Sequence, residues 1–160
     1  MAERGVAPVV GVTTMVLITV VLATLVGGML FGVGVGLEDP PEASISVEVE
    51  RLASGGTQVS LVHTNGDTLD VRSLVVRVAV DGEPLTHQPA VPATGMTGYN
   101  GTPNGPFNAG SADTGWSAGE VAGFEIAATT NAPQPALGDR VTVRLFVDGH
   151  PVAVVETTVS

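Results

Sequence analysis

Hydrophobic and polar positions follow two regimes along this chain. Between Arg4 and Glu38 no residue is charged and most are apolar, whereas beyond Pro40-Pro41 apolar and polar positions alternate. The first regime predicts one helix over 6–37, far longer than the roughly 20 residues an apolar helix needs to cross a bilayer. Thirty residues of helix would measure about 45 Å, against about 30 Å of hydrocarbon. Pro40 and Pro41 stop the helix and favour an extended spacer over 38–43. The second regime has period two. Ser44 to Glu50 alternates as a half-buried strand, Thr57 to His63 alternates again, and Leu74 to Val80 is dense in β-branched residues. Turns are expected at Ser54-Gly55-Gly56 and Asn65-Gly66-Asp67. Short strands at this spacing predict an immunoglobulin-like all-β sandwich over 44–160. The expected fold class is α+β, a long N-terminal hydrophobic helix followed by a β-sandwich head.

Two segments of the head resemble each other. Val76 to Leu85 and Val143 to Val152 both read as strand, Asp-Gly turn and strand, the signature of a hairpin. Convergence on good turn chemistry accounts for the likeness better than duplication does. Between them, residues 86–118 are rich in Gly, Pro, Asn and Thr and show little periodicity, so a long loop is expected there. Asn100-Gly101-Thr102 fits an N-glycosylation acceptor, whose expected context is an exposed external loop. Tyr99, Phe107 and Trp116 lie in the same stretch. They read either as a small core pinning the loop or as a contact surface for another subunit.

Charge narrows the partners. The 160 residues carry 16 acids and 6 bases, all arginine, for a net charge of −10. Phosphate binding needs a basic patch, so nucleic acid is not an expected partner. The acidity reads either as an ordinary solvated surface or as an adaptation to high salt, where acids without lysine keep a protein hydrated. No cysteine occurs, so neither a disulfide nor a zinc–thiolate site is available. Aromatic residues make up only 4% of the chain, which predicts a core of Val, Leu, Ile and Ala.

The apolar run is too long for the core of an ordinary secretory signal, and no A-x-A-like cleavage site follows it. Residues 1–5 form instead a very short polar leader. The stretch Arg4-Gly5-Val6-Ala7-Pro8-Val9-Val10-Gly11-Val12, with the Thr-sprinkled apolar run behind it, resembles the N-terminus of the type IV pilins of halophilic archaea. His63 to Asp70, Trp116 to Glu120 and Leu137 to Val141 resemble short recurring motifs in the heads of that family. The resemblance implies that a prepilin peptidase recognises the leader with its Arg4 and cuts between Gly5 and Val6. It further implies assembly of the mature chain through its helix by an ATPase and a membrane platform protein. Val10 stands where bacterial pilins carry a glutamate, so their charge pairing has no counterpart here. On this resemblance the chain is a structural subunit of an archaeal pilus-like filament, held in the membrane as a precursor and displayed at the cell surface afterwards. Its head would be exposed for adhesion. The alternative is a monomeric surface protein anchored by a single helix, with a binding head.

The residues of the run admit both. Pro8 is tolerated in a first helical turn, and Thr13, Thr14, Thr19 and Thr24 can return their hydroxyls to helix carbonyls. Gly28, Gly32 and Gly36 recur at i, i+4, i+8 with Ala23 and Gly27 beside them, a small-residue ridge that lets helices approach closely. The same glycines could simply loosen a lipid-facing helix or form a hinge. Arg4 before the run and the acids Glu38 and Asp39 after it favour a cytoplasmic N-terminus.

Catalytic chemistry is not expected. His63, His87 and His150 lie in separate segments without metal-ligand spacing, and read as strand-edge or turn residues. Asn65, Asp67 and Asp70 lack the closing glutamate of a calcium loop and read as a turn. Neither a nucleophile elbow nor a phosphate-binding glycine loop is present. No metal, cofactor or enzymatic activity is expected.

Overall fold

A computed structural model describes residues 6–32 and 39–160. The chain divides into two compact units between Asp39 and Pro40. The first contains helix α1, Val6–Gly32, 27 residues long. Its sequence is rich in Val and Thr, which alone favour strands, yet it is helical. In hydrocarbon only a helix satisfies every backbone group within one segment. The threonine hydroxyls are satisfied within the helix: those of Thr13, Thr14 and Thr19 donate to the carbonyls of Val9, Val10 and Met15, each at 2.8 Å. Thr24 donates to Val20 at 2.6 Å. The helix is apolar on every side. Val9, Val12, Met15, Leu17, Leu22 and Leu25 point in different directions, and each leaves more than half of its surface uncovered. Pro8–Gly28, 21 residues, is long and apolar enough to cross a membrane, a test that a signal sequence also passes.

The second unit is a β-sandwich. Its strands are β1 (Ala43–Arg51), β2 (Thr57–Gly66), β3 (Leu69–Asp70), β4 (Leu74–Val80), β5 (Glu83–Pro84), β6 (Tyr99–Asn104), β7 (Gly115–Trp116), β8 (Val121–Ile126), β9 (Arg140–Val147) and β10 (His150–Thr158). One sheet has the order β1-β2-β8-β6 and the other β10-β9-β4-β5, with β3 and β7 forming a two-stranded ribbon. All strand pairs are antiparallel. Lettered A to G in chain order with β5 as the extra C′, these are the A-B-E-D and C′-C-F-G sheets of the immunoglobulin architecture. The expected helix-plus-sandwich fold is therefore what the structure shows.

Alternation decides which side chains fill the sandwich. Val59, Leu61, Val76, Val78, Val141, Val143 and Leu145 are fully buried, while their neighbours along each strand face outward. The Asp-Gly hairpins form as the residues require. Asp81 and Gly82 have φ of 48° and 86°, and Asp148 and Gly149 have φ of 49° and 83°. Positive φ at both central residues is the type I′ turn, whose twist matches its strands. The two hairpins lie side by side, β4 against β9.

No disulfide joins the sheets, and the C-terminus closes one edge instead. The Ser160 amide donates to Val49 at 3.0 Å and its carbonyl accepts from the Arg51 amide at 2.9 Å. This ties the end of β1 to the chain beyond β10. The sandwich thus has an Ala43 end, where the chain enters, and an Arg51 end, where it closes.

Residues 86–118 are more ordered than their composition predicts. They contain β6, a 3-10 turn over Gly105–Phe107, and β7. β6 escapes period-two detection because it is an edge strand of sequence YNGTPN, and edge strands accommodate glycine and proline.

Candidate functional site

The sequence-predicted site residues of the helix divide between described and undescribed positions. Arg4, Gly5 and Gly36 lie outside the described residues, and Val6 is the first residue of α1. Ala23, Gly27, Gly28 and Gly32 all belong to α1. A Cβ placed on Gly27 or Gly28 would meet nothing within 4 Å among the described residues.

In the head, two motifs far apart in sequence fold against each other at the Ala43 end. The His63 amide donates to the Glu120 carbonyl at 3.0 Å, and the Gly119 amide donates to the His63 carbonyl at 2.7 Å. The His63 ring Nδ1 donates to the Trp116 carbonyl at 3.0 Å, and the Trp116 indole donates to Glu120 at 3.1 Å. Leu69 pairs with Trp116 across the small ribbon. The Asn65-Gly66-Asp67 turn grips the incoming chain: the Glu42 amide donates to the Asp67 carboxylate at 3.1 Å and its carbonyl accepts from the Asp67 amide at 2.8 Å. Gly66 has φ of 110°, and a Cβ there would run into the Glu42 carbonyl. The Asp70 carboxylate accepts from the Arg72 amide. These acids serve backbone donors and build turns.

His63 corrects an expectation. It is fully buried in β2, a strand interior to its sheet, and does not lie at a strand edge. The ring Nε2 has no hydrogen-bond partner among the described residues. Packing supplies the rest, since the ring lies 5.5 Å from that of Trp116. A row of rings continues from there: Trp116 to Phe107 at 5.2 Å, Phe107 to Phe124 at 6.4 Å and Phe124 to Tyr99 at 5.3 Å. Tyr99, Phe107 and Trp116 are buried, so they form a core that pins their segment rather than a contact surface. A purely aliphatic core was expected, and this row runs through it. Rings are few in composition, but nearly all of those in the head converge here.

At the other end of the row the Tyr99 hydroxyl donates to the His87 carbonyl at 2.7 Å. Burial pushes the phenol pKa above its ordinary value, with the Asn131 side chain opposing that rise. Asn131 also accepts from the His87 amide and donates to the His87 carbonyl. His87 is thus held by its backbone, while His150 opens β10 on the surface. The three histidines do not converge, and among the described residues no group of three or more His, Asp or Glu side chains is placed to hold a metal ion. Asn100 is exposed on edge strand β6, its amide donating to Glu125 at 2.8 Å, and the Thr102 hydroxyl donates to the Thr94 carbonyl at 2.8 Å.

The outer faces of the two sheets differ in charge. On one, Glu48 and Glu50 of β1 and Glu125 of β8 face outward. On the other, Arg77 of β4 stands directly opposite Arg144 of β9, and Glu156 of β10 accepts from Thr142 at 3.1 Å on the same face.

No family model matches the chain. A protein of Archaeoglobus fulgidus described as uncharacterized is 39% identical over 84 residues, 52% of this chain. The chain spans little more than half of that relative, 56% of its length. The likeness assigns neither a family nor an activity.

Proposed function

We propose that this chain is the structural subunit of an archaeal type IV pilus-like surface filament. The observation that carries the reading is α1: 27 residues, apolar on every side, with its threonines satisfied internally. Such a helix needs an apolar environment all round. A membrane supplies that environment before assembly, and neighbouring copies supply it afterwards. Close approach of neighbours suits Ala23, Gly27, Gly28 and Gly32, where small residues let backbones meet. A prepilin peptidase cutting between Gly5 and Val6 would free the helix for assembly. A glycan on Asn100 would cover the edge strand β6.

One observation favours a single-helix membrane anchor. The apolar span Pro8–Gly28, 21 residues, corresponds to about 32 Å of helix, close to the thickness of hydrocarbon. Mass spectrometry of the mature protein separates the readings. A mature N-terminus at Val6, with filaments visible by electron microscopy, supports the filament. An intact Met1 or Ala2, or cleavage beyond residue 25, would overturn it.

A further inference from the structure

Arg77 and Arg144 face each other across β4 and β9 on the outer surface of their sheet. Like charges directly opposite in an antiparallel pair destabilise it. The pair forms no ion pair: the described residues hold one, Arg72 with Asp70 at 3.5 Å, and no side-chain hydrogen bond from Arg77 or Arg144, while Glu156 of β10, on the same face, accepts from Thr142 at 3.1 Å instead. Both arginines help line a groove of about 180 Å³, together with Ala79, Pro84, Gln88 and Thr142. In a chain with 16 acids and 6 bases, two adjacent free guanidinium groups are a surface built to receive carboxylates.

Carboxylates stand on the opposite outer face. Glu48 and Glu50 project outward from β1, and Glu125 of β8 lies in the same row as Glu50, with Gln58 of β2 between them. Each face also carries exposed apolar positions, among them Val154 on the arginine face, 58% exposed and opposite Arg144. On the arginine face Val75 is 39% exposed and lies beside Phe146, both toward the Ala43 end. On the carboxylate face Val121 is 48% exposed and pairs with Val62, again toward the Ala43 end. Two heads stacked with the same polarity, arginine face on carboxylate face, therefore put an exposed valine at the same end of both faces and bring the arginines over a face that carries glutamate.

We infer that the partner of the Arg77/Arg144 face is the Glu48/Glu50/Glu125 face of a second copy of this chain. The contact is heterologous, each head using a different face toward each neighbour, and such contacts propagate into rings or open filaments. The charges fix register, and the apolar strips strengthen in concentrated excluded salts. The inference rests on the filament reading and names its head-to-head contact.

Charge reversal on full-length chain tests it. One variant carries Arg77→Glu and Arg144→Glu, leaving both faces acidic; a second carries Glu48→Arg and Glu50→Arg, making the carboxylate face basic. Each alone should lose most of its filaments, counted by electron microscopy at about 0.1 M salt, where the Debye length is about 10 Å. Co-expressed, the two should recover them, because every contact in an alternating polymer again joins opposite charges. Circular dichroism of each variant reports that the head stays folded. Filaments unchanged in both variants would overturn this contact while leaving the filament reading intact. Filaments intact but surface attachment lost in the arginine variant would also overturn it, assigning the face to an outside acidic ligand. Absence of filaments in the unsubstituted chain would overturn the filament reading itself, and this contact with it.

Discussion

Trp116 offers the sharpest test of how the head is held together. It is fully buried, with Phe107 packed on it at 5.2 Å and His63 at 5.5 Å. Trp116→Ala removes the indole from the middle of the aromatic row, and large-to-small changes of this kind cost about 3–5 kcal/mol. The lost indole hydrogen bond adds little, because the Glu120 carbonyl it reaches still accepts from the His63 amide. A domain of this size has about 5–15 kcal/mol of stability in total, so the variant should fold but sit close to its limit. With unfolding entropy of about 2.1 cal/mol/K per residue, each kcal/mol lowers Tm by about 4 °C for a head of roughly 120 residues. The expected loss is about 12–20 °C. Because the substitution removes the chain's only tryptophan, the assay is the β-sheet circular dichroism signal of detergent-solubilised full chain, followed against temperature and urea. A loss below about 1 kcal/mol would refute the core role and return this segment to the surface.

Other predictions follow from single observations. Gly28→Leu with Gly32→Leu should abolish filaments counted by electron microscopy while leaving the head's Tm unchanged, and unaltered filaments would refute close helix packing. Gly123→Ala would drive a Cβ into the Val59 carbonyl across β8 and β2. It should cost at least about 2 kcal/mol in urea unfolding, well beyond the usual range of surface substitutions. The Tyr99 phenol, whose pKa is raised in the folded state, stays protonated after the unfolded chain begins to ionise near pH 10.0. Stability is therefore full below pH 10 and falls as pH rises, by up to about 1.4 kcal/mol per pH unit. Tyr99→Phe should flatten that alkaline limb at some cost at neutral pH, and an unchanged pH slope would count against the burial argument.

The apolar helix and the sandwich were legible in the sequence because each rests on a periodicity. Val59 and Leu61 announce β2 by alternation, and Asp81-Gly82 and Asp148-Gly149 announce hairpins by the φ their turn demands. What was hidden depends on contacts distant in sequence. The burial of His63 follows from its meeting Trp116, 53 residues away, and nothing local in His63-Thr64-Asn65 marks it. β6 was hidden because Gly101 and Pro103 suppress strand character that an edge position tolerates. The motifs at His63 and Trp116 were visible as likenesses, but that they form one clasp is a fact of topology. Arg77 facing Arg144 was present in the two resembling hairpins, yet the pairing emerges only once β4 and β9 are neighbours.

The helix and the head share a property that bears on why the chain should assemble. A monomer in water would expose α1 on all sides, and burial of each large aliphatic side chain there is worth about 1.5–3 kcal/mol. A bilayer can satisfy that demand with a single copy, so α1 by itself does not distinguish anchor from filament. The head supplies the second term. A sandwich that only needed to stay soluble would gain from a carboxylate beside Arg77 or Arg144, and the acid-rich composition offers many. Instead Glu48, Glu50 and Glu125 stand on the far sheet, and Glu156, which shares the arginine face, accepts from Thr142. An arginine pair on one face and three carboxylates on the other stabilise nothing within one domain. Their placement is explained when the faces of successive copies meet, which a lone anchored head does not require.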